Sequence, residues 1–140
     1  MKTVHIANIE DLDMIARIDK ELIGNTSRLS YFKKSIELGN CLIAKCDKEI
    51  AGFLIYETNF FHCAFVSLVV ISPSYRRKGF ASLLLDYMMR QSPTSKVFSS
   101  TNRSNISMQK VFDSNGFITS GIVENLDEGD PEIIYFKSKK

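Results

Sequence analysis

The chain has 140 residues, enough for one domain with a single substantial core, and its 44% hydrophobic and 24% charged residues exclude a disordered protein. A net charge of +2 leaves no global field to draw the protein onto nucleic acid or a membrane, so any anion site must be local. No run approaches the ~18 apolar residues of a membrane span, and the N-terminal MKTVHIANIEDLD lacks an apolar signal core, which predicts a cytoplasmic protein.

Thr3–Ile6 reads as a short strand. Asn8 follows as a helix N-cap with Asp11 three residues on, and Leu12, Ile15, Ala16, Asp19 and Leu22 continue at helical spacing until Gly24 stops them. A second helix is expected from Leu29 to Leu38, ended by Gly39. Cys41–Lys45 and Ile50–Tyr56 then read as a hairpin around Asp47-Lys48-Glu49. Ala64–Ile71 (AFVSLVVI) is almost wholly apolar and β-branched, as expected of a central strand buried on both faces. A helix from Phe80 turns Leu84, Tyr87 and Met88 inward, with Leu83 adjoining. Lys96–Ser100 is a short strand, Ser104–Ser114 a helix with Met108, Val111 and Phe112 inward, and Asn115-Gly116 its terminator. Phe117–Val123 and Ile133–Phe136 supply two last strands. The order β-α-α-β-β-β-α-β-α-β-β predicts an α/β (α+β) domain with a mixed sheet flanked by helices.

The three cysteines (Cys41, Cys46 and Cys63) lie in or beside apolar segments and are expected to be free buried thiols. No C-x-x-C occurs, and His5 and His62 stand apart, so no metal site is expected.

The stretch Ser72-Pro-Ser-Tyr-Arg-Arg-Lys-Gly-Phe80 joins the buried strand to the next helix. A strand that turns directly into a helix aims the helix's unpaired N–H groups and the positive end of its dipole at one point, which suits an anion. Gly79 leaves the backbone open to a phosphate, and Arg76, Arg77 and Lys78 add positive charge at the rim. A basic loop can also be merely solvated. Neither G-x-x-x-x-G-K-[ST] nor G-x-G-x-x-G occurs, so kinase and dehydrogenase chemistry are not indicated.

Arg76-Arg77-Lys78-Gly79-Phe80-Ala81 resembles the Q/R-x-x-G-x-G/A signature of the GNAT superfamily of N-acetyltransferases, with an apolar strand and Pro73 before it and the helix FASLLLDYMM after it. Asn102-Arg103-Ser104-Asn105, the following helix and Ser114-Asn115-Gly116-Phe117 resemble that family's second block. The resemblance implies one acetyltransferase domain over residues 1–140, a mostly antiparallel sheet with splayed central strands, and acetyl-coenzyme A as co-substrate. It places the pyrophosphate on the backbone N–H groups of Arg77, Lys78, Gly79, Phe80, Ala81 and Ser82, with Arg76 at the signature's first position. The pantetheine arm would pair with the backbone of Val69, Val70 and Ile71, and Asn105 would hydrogen-bond it; helix capping is the other reading of Asn105.

The sequence departs from that family at the proton-handling positions. The usual tyrosine acid is replaced by Phe112, which can line the thioester pocket or simply pack. The glutamate that ribosomal-protein acetyltransferases carry five residues before the asparagine is Ser100, and the histone-type glutamate position holds Phe65 or Val66. Deprotonating a lysine-like amine near neutrality costs roughly 4.6 kcal/mol, against about 1 kcal/mol for an α-amine, so the gaps favour a low-pKa acceptor or a base reached through water. Ser100, Glu57, Glu124 and Tyr135 are the substitute candidates. The carboxylate-rich Glu124–Glu132 segment could attract a cationic amine or be a solvated hairpin loop, and the loop Asn25–Tyr31 is a second acceptor wall. The expected reaction is acetyl transfer to a primary amine of a small molecule or peptide. A degenerate acyl-CoA sensor is the alternative; a nucleic-acid binder using Arg76–Lys78 is the weaker rival, and exposed last strands are compatible with a homodimer.

Overall fold

The computed structural model describes residues 1–139. The strands are β1 (Lys2–Ile6), β2 (Cys41–Cys46), β3 (Glu49–Phe60), β4 (Cys63–Ile71), β5 (Lys96–Asn102), β6 (Ile118–Val123) and β7 (Glu132–Ser138); the helices are α1 (Leu12–Ile23), α2 (Leu29–Glu37), α3 (Phe80–Gln91) and α4 (Ile106–Ser114). One seven-stranded sheet runs β1-β2-β3-β4-β5-β7-β6. The β4–β5 pair is parallel, while β1–β2, β2–β3, β5–β7 and β6–β7 are antiparallel. The mixed, mostly antiparallel sheet flanked by helices is therefore present, in the expected chain order. By contact density the chain divides into two compact units, Met1–Tyr56 with Leu68–Tyr87, and Glu57–Ser67 with the chain from Met88 onward.

In the first unit Asn8 caps a 3-10 turn, Ile9–Asp11, that leads into α1, rather than capping α1 itself. The Asn8 side chain accepts from the Glu10 N–H while Asp11 Oδ2 accepts from the Asn8 N–H, and Gly24 ends α1 in the left-handed region at φ 83°. Ile15 and Ile18 of α1 and Phe32 and Ile36 of α2 pack in one cluster with Cys41 and Ile43 of β2, Phe53 and Ile55 of β3, and Val70 of β4. Each such apolar side chain contributes roughly 1.5–3 kcal/mol by leaving water. Phe32 meets Phe53 edge to face at 5.3 Å. Asp19 is only 1% exposed, and Arg28 offers it a two-pronged guanidinium, Nε donating to Oδ2 at 3.0 Å and a second nitrogen to Oδ1. This fork ties the α1–α2 connection to α1, so the expected acceptor wall around residues 25–31 is braced by a buried ion pair.

In the second unit, α4 lies against one face of the β5–β7 pair. Phe112 is 1% exposed, stacks on Tyr135 at 4.6 Å and touches Phe117 at 5.3 Å. The opposite face carries a row of rings, with Phe60 4.8 Å from Phe65 and 5.1 Å from Phe98, and Phe98 5.2 Å from Phe136.

Several local expectations are corrected. β3 runs on to Phe60 rather than stopping at Tyr56, because Phe61 and His62 form a two-residue turn with φ of 52° and 65°. Glycine or asparagine usually marks such turns, and their absence hid this one. β4 is not buried on both faces: Ala64, Val66 and Val70 are buried, whereas Phe65, Ser67, Leu68, Val69 and Ile71 are half-exposed. On α3 the buried positions are Phe80, Leu84, Leu85, Met88 and Met89, while Tyr87 and Leu83 are half-exposed, so the buried stripe lies one residue around the helix from the expected one. α4 begins at Ile106, not Ser104, and only Phe112 of its inner residues is buried.

All three cysteines are free, but only Cys41 is fully buried, and burial, with a contribution from the charge of Asp11, pushes its thiol pKa up to about 12. A thiol reagent at mildly alkaline pH is expected to modify Cys46 and Cys63 in the folded protein and Cys41 only after denaturation; rapid native labelling of Cys41 would contradict its burial. Arg28→Leu strands the Asp19 carboxylate, and because Arg28 is itself partly exposed the expected loss is about 2–3 kcal/mol, measured by urea unfolding. Unchanged stability would show that the pair carries no net charge compensation.

Candidate active site

The turn between β4 and α3 is built by a sequence of local constraints. Gly52 of β3 has no side chain where a Cβ would meet the Val70 carbonyl oxygen at 2.5 Å, so β3 and β4 approach closely here. The Ser72 N–H donates to the Ala51 carbonyl at 2.8 Å, holding the end of β4 in place. Pro73–Tyr75 forms one 3-10 turn, and the Tyr75 N–H returns to the Ser72 carbonyl at 2.9 Å. Arg77 and Gly79 are then both left-handed, at φ 62° and 85°, and α3 starts immediately afterwards. At this end of α3 the Leu83 N–H donates to the Gly79 carbonyl at 3.0 Å. The N–H groups of Phe80 and Ala81, ahead of it, have no carbonyl one helical turn behind them.

Aromatic and cationic contacts brace this backbone. Phe80 is buried, and Tyr75 meets it edge on at 5.6 Å. The Tyr75 hydroxyl donates to Glu49 Oε1, and that bond, followed by partial desolvation, raises the phenol pKa to about 12, so the hydroxyl keeps its proton. Lys78 lies over the Tyr75 ring at 5.7 Å. Lys2 donates its ammonium to the Lys78 carbonyl and sits 5.0 Å from the Phe80 ring centre. Arg76, Arg77, Lys78 and Gly79 are exposed, and an added Cβ at Gly79 would meet nothing nearer than Lys2 Nζ at 3.8 Å. A helix N-terminus and three cations thus share one short segment, with Lys2 of β1 as a fourth beside it, which fits a phosphate or pyrophosphate. Lys2, Tyr75 and Gly52 were not legible from the signature: their parts depend on β1 and β3, distant in sequence.

In the second unit, Asn105 caps α4, its Oδ1 accepting from the Met108 N–H at 3.1 Å. The capping reading is therefore correct for the oxygen, while Nδ2 remains a donor. The acidic segment is an exposed hairpin loop between β6 and β7, as one of its two readings expected, and it is tethered as well as solvated. Asp127 accepts from Asn102 Nδ2 at 2.9 Å; Asp130 accepts from the Ser104 N–H and hydroxyl at 3.0 and 2.6 Å; and the Arg103 N–H reaches the Pro131 carbonyl at 2.8 Å. Two of its carboxylates thus fasten the segment to the β5–α4 corner. Glu132 lies in β7 and accepts from the Ser100 hydroxyl at 2.7 Å.

The other candidates are dispersed. Glu57 is half-buried on β3, and Glu124 is exposed just after β6. Tyr135 is 2% exposed under Phe112, with its pKa raised first by burial and then by Asp113. Among the described residues, no three His, Cys, Asp or Glu side chains gather as a metal site, and no helix is long and apolar enough to cross a membrane.

A family model described as acetyltransferase (GNAT) family matches residues 9–117. A GNAT-family acetyltransferase from Bacillus cereus has the same fold at a TM-score of 0.97 with 61% identity, over 100% of this chain and 99% of that one. The ribosomal-protein-S18-alanine N-acetyltransferase of Escherichia coli aligns at 0.82 with 17% identity, over 99% and 94% of the two chains. The yncA protein of Salmonella typhimurium, solved with its cofactor acetyl-CoA, aligns at 0.78 with 15% identity over 99% and 94%. No curated protein sequence matches the chain. The family match spans most of the chain and includes both the β4–α3 turn and Asn105; the protein belongs to the GNAT acetyltransferase family.

Proposed function

We propose that residues 1–140 form one acetyltransferase domain that moves the acetyl group of acetyl-coenzyme A to a primary amine, with the β4–α3 turn as the pyrophosphate seat. The observation that carries this is the conjunction of left-handed Arg77 and Gly79 with the start of α3, which leaves backbone donors exposed among Lys2, Arg76, Arg77 and Lys78. Backbone N–H groups from Arg77 to Ser82 meet the anion, and the cations add mobile charge around it. Val69 and Ile71 are half-exposed on either side of buried Val70, and the extended backbone of these three residues suits an arm with amide groups, laid along β4 as another strand would be. Asn105, whose Oδ1 caps α4, keeps Nδ2 as the donor that the family resemblance assigns to the arm. Phe112 serves the core through its stacking on Tyr135.

Bound acetyl-coenzyme A supplies an activated acyl carbon as a thioester. The protein must then hold a neutral amine nitrogen against that carbon and accept the proton the ammonium gives up. A coenzyme A sensor without turnover is favoured by one observation: Phe112 has no hydroxyl, and Tyr135 is buried beneath it. Acetyl-CoA binding combined with no acetylation across a broad amine panel would select that alternative.

The seat is tested by comparing two substitutions by calorimetry with acetyl-CoA. Gly79→Trp adds a bulky side chain to the open backbone and about 1–2 kcal/mol of left-handed strain, and is expected to weaken binding by about tenfold or more. Arg77→Gly keeps the left-handed backbone and removes one exposed charge, so a loss of only about two- to fivefold is expected. Unchanged affinity for Gly79→Trp would exclude the turn as the seat.

A further inference from the structure

Resting on the β4–α3 turn as the pyrophosphate seat, we infer that Lys2 of β1 is a positioning residue of that seat. It fixes which way the Lys78–Gly79 peptide faces, and so whether the turn offers the phosphate a donor or an acceptor. The family match begins at residue 9 and the motif at Arg76, so Lys2 lies outside both. Every residue involved belongs to the first unit.

The Lys78–Gly79 peptide is the loosest joint of the turn. Turning a peptide plane over changes ψ of the residue before it and φ of the residue after it, and glycine accepts either sign of φ at little cost. Gly79 stands at φ 85°, and its own stereochemistry does not forbid the opposite setting. The space around it is equally permissive, since an added Cβ would meet only Lys2 Nζ, at 3.8 Å. The peptides on either side lack this freedom, because reversing them drives Lys78 or Phe80 toward positive φ.

Lys2 supplies the missing constraint. Its ammonium donates to the Lys78 carbonyl and lies 5.0 Å from the centre of the buried Phe80 ring. No peptide bond among the described residues is cis, so the Lys78 carbonyl and the Gly79 N–H point in opposite directions across their shared plane. Holding the carbonyl toward Lys2 therefore turns the Gly79 N–H away from it. The reversed peptide would present a carbonyl oxygen in place of that donor and repel an anion. Any fraction of molecules in the reversed state lowers the apparent affinity in proportion.

The root of the Lys2 side chain is itself held. Lys2 pairs with Cys46 in the β1–β2 ladder. Beside it, the Asp47 N–H donates to the Met1 carbonyl at 2.8 Å, and the Met1 ammonium donates to Asp47 Oδ1 at 2.5 Å. The β2–β3 turn thus clamps the neighbour of Lys2, and the ammonium reaches the peptide from a fixed base.

The test is calorimetry with acetyl-CoA and with acetyl-pantetheine, which lacks the pyrophosphate, on wild type, Lys2→Met and Lys2→Arg at about 0.1 M and about 1 M salt. Methionine keeps an apolar stem beside Phe80 but has neither charge nor donor. Lys2→Met is expected to weaken acetyl-CoA by about tenfold at both salt concentrations, with acetyl-pantetheine within about twofold of wild type. Lys2→Arg keeps a cationic donor and is expected to bind acetyl-CoA within about threefold of wild type. A lysine that is only a rim charge predicts that the Lys2→Met deficit vanishes at the higher salt. A lysine that only stabilises the fold predicts equal weakening of the two compounds. Either result overturns the inference, as does unchanged acetyl-CoA affinity in Lys2→Met or a Lys2→Arg no better than Lys2→Met. Wild type that binds both compounds equally overturns the pyrophosphate seat itself, an outcome distinct from every failure of Lys2 alone.

Discussion

The organising constraint is the reversal of the chain between the end of β4 and the start of α3. Two left-handed residues, Arg77 and Gly79, separated by one position, complete that reversal. A left-handed arginine costs roughly 1–2 kcal/mol, so neighbours must hold it there. They do so from distant parts of the sequence: Gly52 permits the close approach of β3, the Ala51 carbonyl accepts from the Ser72 N–H, Glu49 accepts from the Tyr75 hydroxyl, and the Lys2 ammonium donates to the Lys78 carbonyl. The left-handed pair falls at the proposed pyrophosphate seat. The cations are then secondary, since their charge is useful only around donors already held in place.

Proton handling follows a different logic. A sequence comparison locates a missing base by position, and at that position Ser100 is only a hydroxyl. Antiparallel pairing of Asn102 with Glu132 sets that carboxylate diagonally across from Ser100, whose hydroxyl donates to it. Acidic residues near the same corner have other work: Asp127 and Asp130 close hydrogen bonds that fix the connection into α4. An excess of carboxylates in the sequence therefore reads as attraction for a cation, whereas their partners show mostly architecture.

Local signals carried the fold well where the chemistry is local. The Asn8 cap, the stops at Gly24, Gly39 and Gly116, and the strand-to-helix turn at Gly79 all follow from backbone preferences of single residues. The miss at Phe61-His62 has the same origin in reverse: a tight turn made from residues that do not advertise one. The exposed side of β4 was hidden because an apolar composition states what a strand tolerates, not what covers it. Within the candidate site, the β4–α3 loop was legible as a motif. Lys2 and Tyr75 were not, since each acquires its part through pairing between segments far apart in the chain.

The most direct measurement is a calorimetric comparison of acetyl-CoA with acetyl-pantetheine, which keeps the thioester and the amide arm but lacks the pyrophosphate. A seat formed by the β4–α3 backbone and its cations predicts that acetyl-pantetheine binds about 100-fold more weakly or worse, since two or more charge-assisted hydrogen bonds are lost. Equal affinity for the two compounds would contradict it, placing the recognition in the arm alone and leaving the turn without a ligand.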